Sequence, residues 1–194
     1  MTLVSELVDV QITNDLQAFN IIEKHLLTQN SRSMSDGYST GSCAYRGEET
    51  IYIQDPETGE AVEFEFVPNN KSCAVGILIK DKFYDSSLED NSADEVNVHN
   101  SLSDSHPDWH INKNTTIMLL CCQYIHDTLP VKHWQKALDY LRGFIFFDKD
   151  HNVNFSGYIS MVANHDIGIV NMRNVIMDFV KSRLYFEFKQ FWGE

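Results

Sequence analysis

The sequence predicts an α+β fold in which small antiparallel β-hairpins pack against a helical hairpin and an N-terminal helix. Three observations predict it. Apolar residues recur at helical spacing near the start of the chain and again between 115 and 141. Two stretches of alternating residues flank turn-forming clusters. Hydrophobic residues make up 43% and aromatic residues 12% of the 194 positions, which is too apolar for a disordered chain and enough for one core. A single domain over residues 1–194 is expected, with a core over 14–142 and a C-terminal extension over 143–194.

Leu16, Phe19, Ile22 and Leu26 share one helical face, so a helix is predicted from about Asn14 to Gln29, with Asn14 and Gln17 placed as a capping box. Ser31 to Ser42, rich in Ser and Gly, reads as a loop. Ile51 and Ile53, then Val62, Phe64 and Phe66, alternate with polar residues around Asp55-Pro56-Glu57-Thr58-Gly59. That pattern predicts a hairpin with all five apolar side chains on one buried face and Glu63 and Glu65 on the other. Ala74 to Ile79 is a short apolar run, expected as a strand or a buried turn. Residues 84–114 are dominated by Ser, Asp, Asn and His and read as a long polar excursion.

Thr115 to Asp127 is expected to be a buried helix. A second helix follows, with Pro130 in its first turn, Val131, Trp134, Leu138 and Leu141 on one stripe, and Gly143 as its C-terminal cap. Phe144 to Phe147 and Val153 to Tyr158 flank Asp148-Lys149-Asp150-His151-Asn152 as a second hairpin. Asn171 to about Ser182 reads as helix, and Leu184 to Phe188 alternates like a strand.

Charge is concentrated in the middle third of the chain. Of the net charge of −13, the stretch from Glu48 to Asp108 holds 15 acidic residues against Lys71, Lys80 and Lys82, a balance of −12. A segment of that sign repels nucleic-acid phosphates and suits a basic protein surface. The opening residues carry no basic, apolar leader pattern, and no run reaches the roughly 18 apolar residues of a membrane span. A cytoplasmic location is the expectation, with no membrane partner. Four cysteines, two of them adjacent at Cys121 and Cys122, do not make a disulfide framework.

The string Cys43-Ala44-Tyr45-Arg46-Gly47, followed by Cys73-Ala74-Val75-Gly76-Ile77-Leu78-Ile79-Lys80-Asp81-Lys82-Phe83-Tyr84-Asp85, resembles a family of uncharacterised proteins encoded by bacteriophages and bacterial genomes. His126-Asp127, Pro130, Trp134, Ala137 and Leu138 match that family's closing helix pattern, and the likeness covers roughly residues 16–142. The resemblance implies a phage-type protein and brings no activity with it. This chain departs by a longer acidic insertion between the two cysteine elements and by residues that extend past the usual end.

Each candidate site has a structural reading beside the functional one. Cys43, Tyr45, Arg46 and Cys73 flank the first hairpin and form the candidate ligand or metal site, since an Arg fork suits a carboxylate or phosphate. Against that stand packed thiols and an internal ion pair from Arg46 to Asp81 or Asp85. Zinc requires four ligands, and no C-x-x-C pair completes them. His99, His106, Asp108 and His110 are metal-ligand types, but Pro107 breaks the helical spacing, so a solvated loop is the reading. Asp148, Asp150 and Asn152 start like a calcium loop, yet Val153 and Ile159 stand where Gly and Glu are required. Cys121 or Cys122 with His126 has nucleophile–base spacing, but within an apolar run. No catalytic residue, metal or cofactor is therefore expected.

The function expected is that of a non-catalytic interaction protein, phage-encoded, that binds and inhibits a basic host protein through an acidic face. DNA mimicry against a defence or nucleic-acid-handling protein is its sharpest form. The face comprises Glu48, Glu49, Asp55, Glu57, Glu60, Glu63, Glu65, Asp85, Glu89, Asp90, Asp94 and Glu95. A small enzyme or ligand-binding protein with its site at Cys43, Tyr45, Arg46 and Cys73 is the alternative.

Overall fold

The computed structural model describes residues 10–33, 44–55, 58–155 and 168–192. Helix dominates it. In chain order the main elements are α1 (Asp15–Gln29), β1 (Glu48–Gln54), β2 (Ala61–Pro68), α2 (Val96–Ser105), α3 (Lys113–Thr128), α4 (Trp134–Phe144), β3 (Ile145–Phe147), β4 (Val153–Phe155) and α5 (Ile169–Trp192). Single 3₁₀ turns occupy Gly76–Leu78, Asp81–Phe83, Ser86–Leu88 and Val131–His133. Strands are confined to two separate two-stranded antiparallel ladders. The architecture is thus more helical than the α+β fold expected from the pattern.

Helix α1 begins where its cap places it. The Asn14 side chain accepts from Gln17 N at 3.0 Å, while Gln17 reaches back to Thr13 N at 2.9 Å rather than to Asn14. It ends at Asn30, whose φ of 47° lets its N–H reach Leu26 O. Its buried stripe is Ala18, Phe19, Ile22, His25 and Leu26. Helix α3 is the axis of the core, buried along Thr115–Cys122 and at Ile125 and His126, and α1, α4, α5 and β4 all pack on it. Asn112 starts it, accepting from Thr115 N while Thr115 Oγ1 accepts from Asn112 N, a capping box.

After α3, Pro130 leads into a 3₁₀ turn before α4 proper begins at Trp134. Gly143 lies inside the last turn of α4, not at its cap, because the helix continues to Phe144. The expected strand at Leu184–Phe188 is part of α5. Leu184 sits four residues beyond Val180 and extends the buried stripe Met172, Ile176, Val180, and that stripe continues the helical period.

The supposed polar excursion 84–114 contains α2. Two buried residues four apart, Val98 and Leu102, suffice to seat this ten-residue helix, with Leu88, Ala93 and Trp109 buried on either side. Ala74–Ile79 is a buried turn rather than a strand. Most of the loop read at Ser31–Ser42, and the end of the second hairpin past Phe155, lie outside the described residues.

The first hairpin forms, but in a different register from the one its alternation suggested. Beside the turn Gln54 pairs with Ala61, whereas from Ile53 onward the pairs are Ile53–Glu63, Ile51–Glu65, Tyr52–Phe64 and Thr50–Phe66. A bulge at Val62 accounts for the one-residue slip. That slip sets Ile51 and Ile53 opposite positions 65 and 63 instead of 64 and 62. Ile51 is 46% and Ile53 42% exposed, so the single buried face expected for all five residues does not exist.

Candidate functional site

Two regions carry the residues singled out in the sequence: a clasp around Tyr45 and Arg46, and the acidic hairpin that grows from it. In the clasp, the Arg46 guanidinium donates to Gly76 O at 2.6 Å, Ile79 O at 2.6 Å and Asp81 Oδ1 at 2.8 Å. It also lies 5.2 Å from the centroid of the Tyr84 ring. Its planar fork is well suited to carbonyls held at fixed spacing by a 3₁₀ turn. Of the two acids weighed as its partner, Asp81 makes the ion pair.

Glu89 completes the clasp from the other side. Its carboxylate accepts from Tyr45 N at 2.8 Å, Arg46 N at 3.0 Å and the Tyr84 hydroxyl at 2.7 Å. Burial, then the hydrogen bond to Glu89, pushes the Tyr84 phenol well above its ordinary range. Tyr45 is buried, with its hydroxyl donating to Asn91 O at 3.0 Å. The chain passes so close here that a Cβ on Gly76 would stand 2.3 Å from Tyr45 O. Gly76 therefore has a steric requirement, which explains a glycine at the centre of an apolar run.

Cys73 is fully buried and its Sγ accepts from Gly76 N at 3.2 Å; Cys43 lies outside the described residues. Arg46 and Tyr45 are thus brought together with Cys73, but their polar atoms are taken up by the protein's own carbonyls and carboxylates. Cys121 and Cys122 are buried, and burial pushes the Cys121 thiol up to about 12 and the Cys122 thiol well above its ordinary value. Neither provides a thiolate near neutral pH.

Buried histidines are what the sequence reading missed. His106, assigned to a solvated loop, is buried; its Nδ1 accepts from Ile12 N at 3.2 Å and its Nε2 donates to Leu78 O at 2.7 Å. His25 donates from Nε2 to Ser72 O at 2.9 Å. Burial is the largest cause lowering the pKa of both, partly offset by these carbonyls. His126 accepts at Nε2 from Ser33 N at 3.1 Å, holds Asp127 through Nδ1 at 2.7 Å and packs against the Trp134 ring. Each joins segments distant in sequence, a role no local pattern announces.

His99 Nε2 lies 3.3 Å from Thr116 Oγ1, while Asp108 and His110 are exposed. Among the described residues no group of three His, Cys, Asp or Glu side chains is arranged to hold a metal. The Asp148 carboxylate accepts from Asp150 N at 2.9 Å and Asn152 N at 3.0 Å, closing a turn in which His151 has a φ of 61°.

The acidic residues divide by role. Glu89 faces inward, and Asp85 caps its own turn by accepting from Ser87 N at 2.8 Å, which holds its carboxyl below the usual range. Asp55 organises the hairpin turn, accepting from Thr58 N at 2.9 Å through its side chain and from Gly59 N at 2.8 Å through its carbonyl. Glu48, Glu60, Asp90 and Glu95 are exposed, and Asp94 is half-buried. Glu57 and the side chains of Glu49, Glu63 and Glu65 lie outside the described ones, although the backbone pairs Glu63 and Glu65 with Ile53 and Ile51.

Ion pairs elsewhere keep to the body, as in Arg142–Glu23 at 2.6 Å. Among the described residues no helix is long and apolar enough to cross a membrane. Comparison with family models, with curated proteins and with solved structures finds no match to this chain.

Proposed function

We propose that this is a non-catalytic, phage-encoded interaction protein that binds and inhibits a basic host protein through the acidic β1–β2 hairpin, in the manner of a DNA mimic. The observation that carries the reading is the separation of roles among the acids. Those near the clasp serve internal hydrogen bonds, whereas the stretch Glu48–Asn70 contains seven acidic residues and no Lys or Arg. Fixed carboxylates without nearby cations create a field that steers a basic partner and repels phosphate backbones.

The alternative ligand site at Cys43, Tyr45, Arg46 and Cys73 is less well supported. Arg46 already donates to two carbonyls and a carboxylate, and Tyr45 is buried with its hydroxyl bonded. An incoming anion would have to displace all three acceptors of Arg46.

The test is affinity capture from bacterial host lysate with the full chain and with a variant in which Glu48, Glu60, Glu63 and Glu65 are changed to Gln. A basic protein retained at low salt, released at high salt and not retained by the variant is expected. Capture of nothing at low salt, or equal capture by the variant, overturns the proposal.

A further inference from the structure

We infer that Arg173 and Lys181 of α5, together with Tyr124 of α3, form a binding site for a phosphate dianion, free or carried as a monoester. This site is separate from the acidic arm and does not depend on its partner. The two cations stand eight residues apart, about 12 Å along a helix axis, yet both reach one ring. The Arg173 guanidinium lies 5.5 Å and the Lys181 ammonium 4.5 Å from the Tyr124 centroid, and Lys181 also donates to the Tyr124 hydroxyl. All three residues are half-buried, so their charges are screened less than those of an open surface.

The absence of a carboxylate partner sets this pair apart. Arg46 is paired with Asp81, and Arg142 with Glu23. Among the described residues neither Arg173 nor Lys181 forms an ion pair, and Asp178 on the same helix is exposed and paired with neither. Arg173 donates from Nε and Nη2 to Asn174 Oδ1, so the partners of both cations are neutral. Acids were not scarce, since the chain holds 28 acidic residues against 15 basic ones.

Two neighbouring positive charges repel, and a ligand with two negative charges relieves both. A phosphate monoester, whose second pKa is about 6, supplies them at neutral pH, whereas a carboxylate leaves one cation unmatched. The donors still free to meet it are Nη1 of Arg173, the remaining N–H groups of Lys181 and the Tyr124 hydroxyl. The phenol already registers the positive field. The Lys181 hydrogen bond is the main cause holding its pKa below the ordinary value; burial opposes it, and the Lys181 and Arg173 charges add to the lowering. Cation–π packing alone would also hold each cation on the ring, but it would leave the pair indifferent to phosphate.

The experiment titrates the full chain with inorganic phosphate, glycerol phosphate and acetate at constant ionic strength, read by calorimetry. Phosphate or its monoester is expected to bind with a Kd below about 1 mM, and acetate at least about tenfold more weakly; the tighter of the first two identifies the source of the phosphate. Arg173→Met and Lys181→Met should each weaken binding at least about tenfold, whereas Arg183→Met, whose guanidinium lies over Phe179 instead, should leave it unchanged. NMR of carbon-13-labelled tyrosine on the wild-type chain, assigned with Tyr124→Phe, gives a readout independent of the folding of the charge variants: bound phosphate should raise the Tyr124 pKa. No binding of either phosphate at 1 mM, equal binding of acetate, equal weakening by Arg183→Met, or a Tyr124 signal that does not respond would each overturn the inference.

Discussion

The β1–β2 hairpin pairs seven residues with eight and leaves Ile51 and Ile53 in solvent, whereas β3–β4 pairs three with three and buries Ile145, Val153 and Phe155. Strand length and alternation therefore do not decide which hairpin enters the core; what each is tied to does. The short hairpin is held by α1, since Val153 N donates to Asp15 Oδ2 at 2.7 Å and Leu16 N donates to His151 O at 3.1 Å. It also packs on α3 and α4. The long hairpin is held at its base, where Gly47 N reaches Lys71 O at 2.8 Å and Asn69 N reaches Gly47 O at 3.0 Å. The first is a structural part of the body, and the second is an arm extended from it.

The contrast is most sharply broken at Asp15. This fully buried carboxylate accepts from Trp109 Nε1 at 2.8 Å, Thr115 Oγ1 at 3.0 Å and Val153 N. Asp15→Ala leaves those donors without a partner and is expected to cost about 3–5 kcal/mol, measured by denaturant unfolding. Loss of exchange protection in β3–β4 and α3 with β1–β2 unaffected would show that the two hairpins are energetically separate. A loss under 1 kcal/mol would refute the anchor.

Gly47→Ala attacks the arm at its root. A Cβ there would sit 2.4 Å from Asn69 Oδ1 and 2.9 Å from Ser33 Oγ, and about 1–3 kcal/mol of destabilisation is expected from overpacking. Amide exchange should quicken in 48–68 before it quickens in α3. Uniform quickening would mean that the arm and body unfold as one unit.

Acid acts on the body through two buried histidines. His25 and His106 have folded pKa values below their unfolded value of 6.5 because burial disfavours the charged ring. The unfolded chain therefore binds more protons as pH falls below 6.5, and the stability held above that pH declines toward each folded pKa. The slope is at most about 1.4 kcal/mol per pH unit for each histidine. His106→Gln is expected to flatten the decline measured between pH 6.5 and 5; an unchanged slope would exclude this ring as a contributor. Smallest of all, Ile51→Thr/Ile53→Thr should shift unfolding by about 0.5 kcal/mol or less, since neither side chain joins the core. A loss above 2 kcal/mol would show that the arm packs after all.

The elements that could be read in advance were those whose stabilising contacts are local or periodic. α1 with its Asn14 cap, the stripe of α4 and the turn at Asp148 all follow from spacing and turn chemistry within a few residues. The register of the first hairpin could not be read, because a bulge at Val62 needs no special residue and reverses the face of everything beyond it. α2 was hidden because only Val98 and Leu102 of its ten residues are both apolar and buried. The clasp was half visible: a pair of Arg46 with Asp81 or Asp85 was anticipated, but Glu89, 43 residues from Arg46, was assigned to the surface. Two of its three donors are backbone N–H groups, which no side-chain pattern records.

The bond from Val153 to Asp15 spans 138 positions. During synthesis the opening helix leaves the ribosome long before its last donor has been translated, so its carboxylate must stay hydrated until three-quarters of the polypeptide exists. Closure of the body is in that sense a late, nearly post-translational event. The acidic arm, whose ladder and base hydrogen bonds join residues within 47–71, is free to form while the rest is still being made.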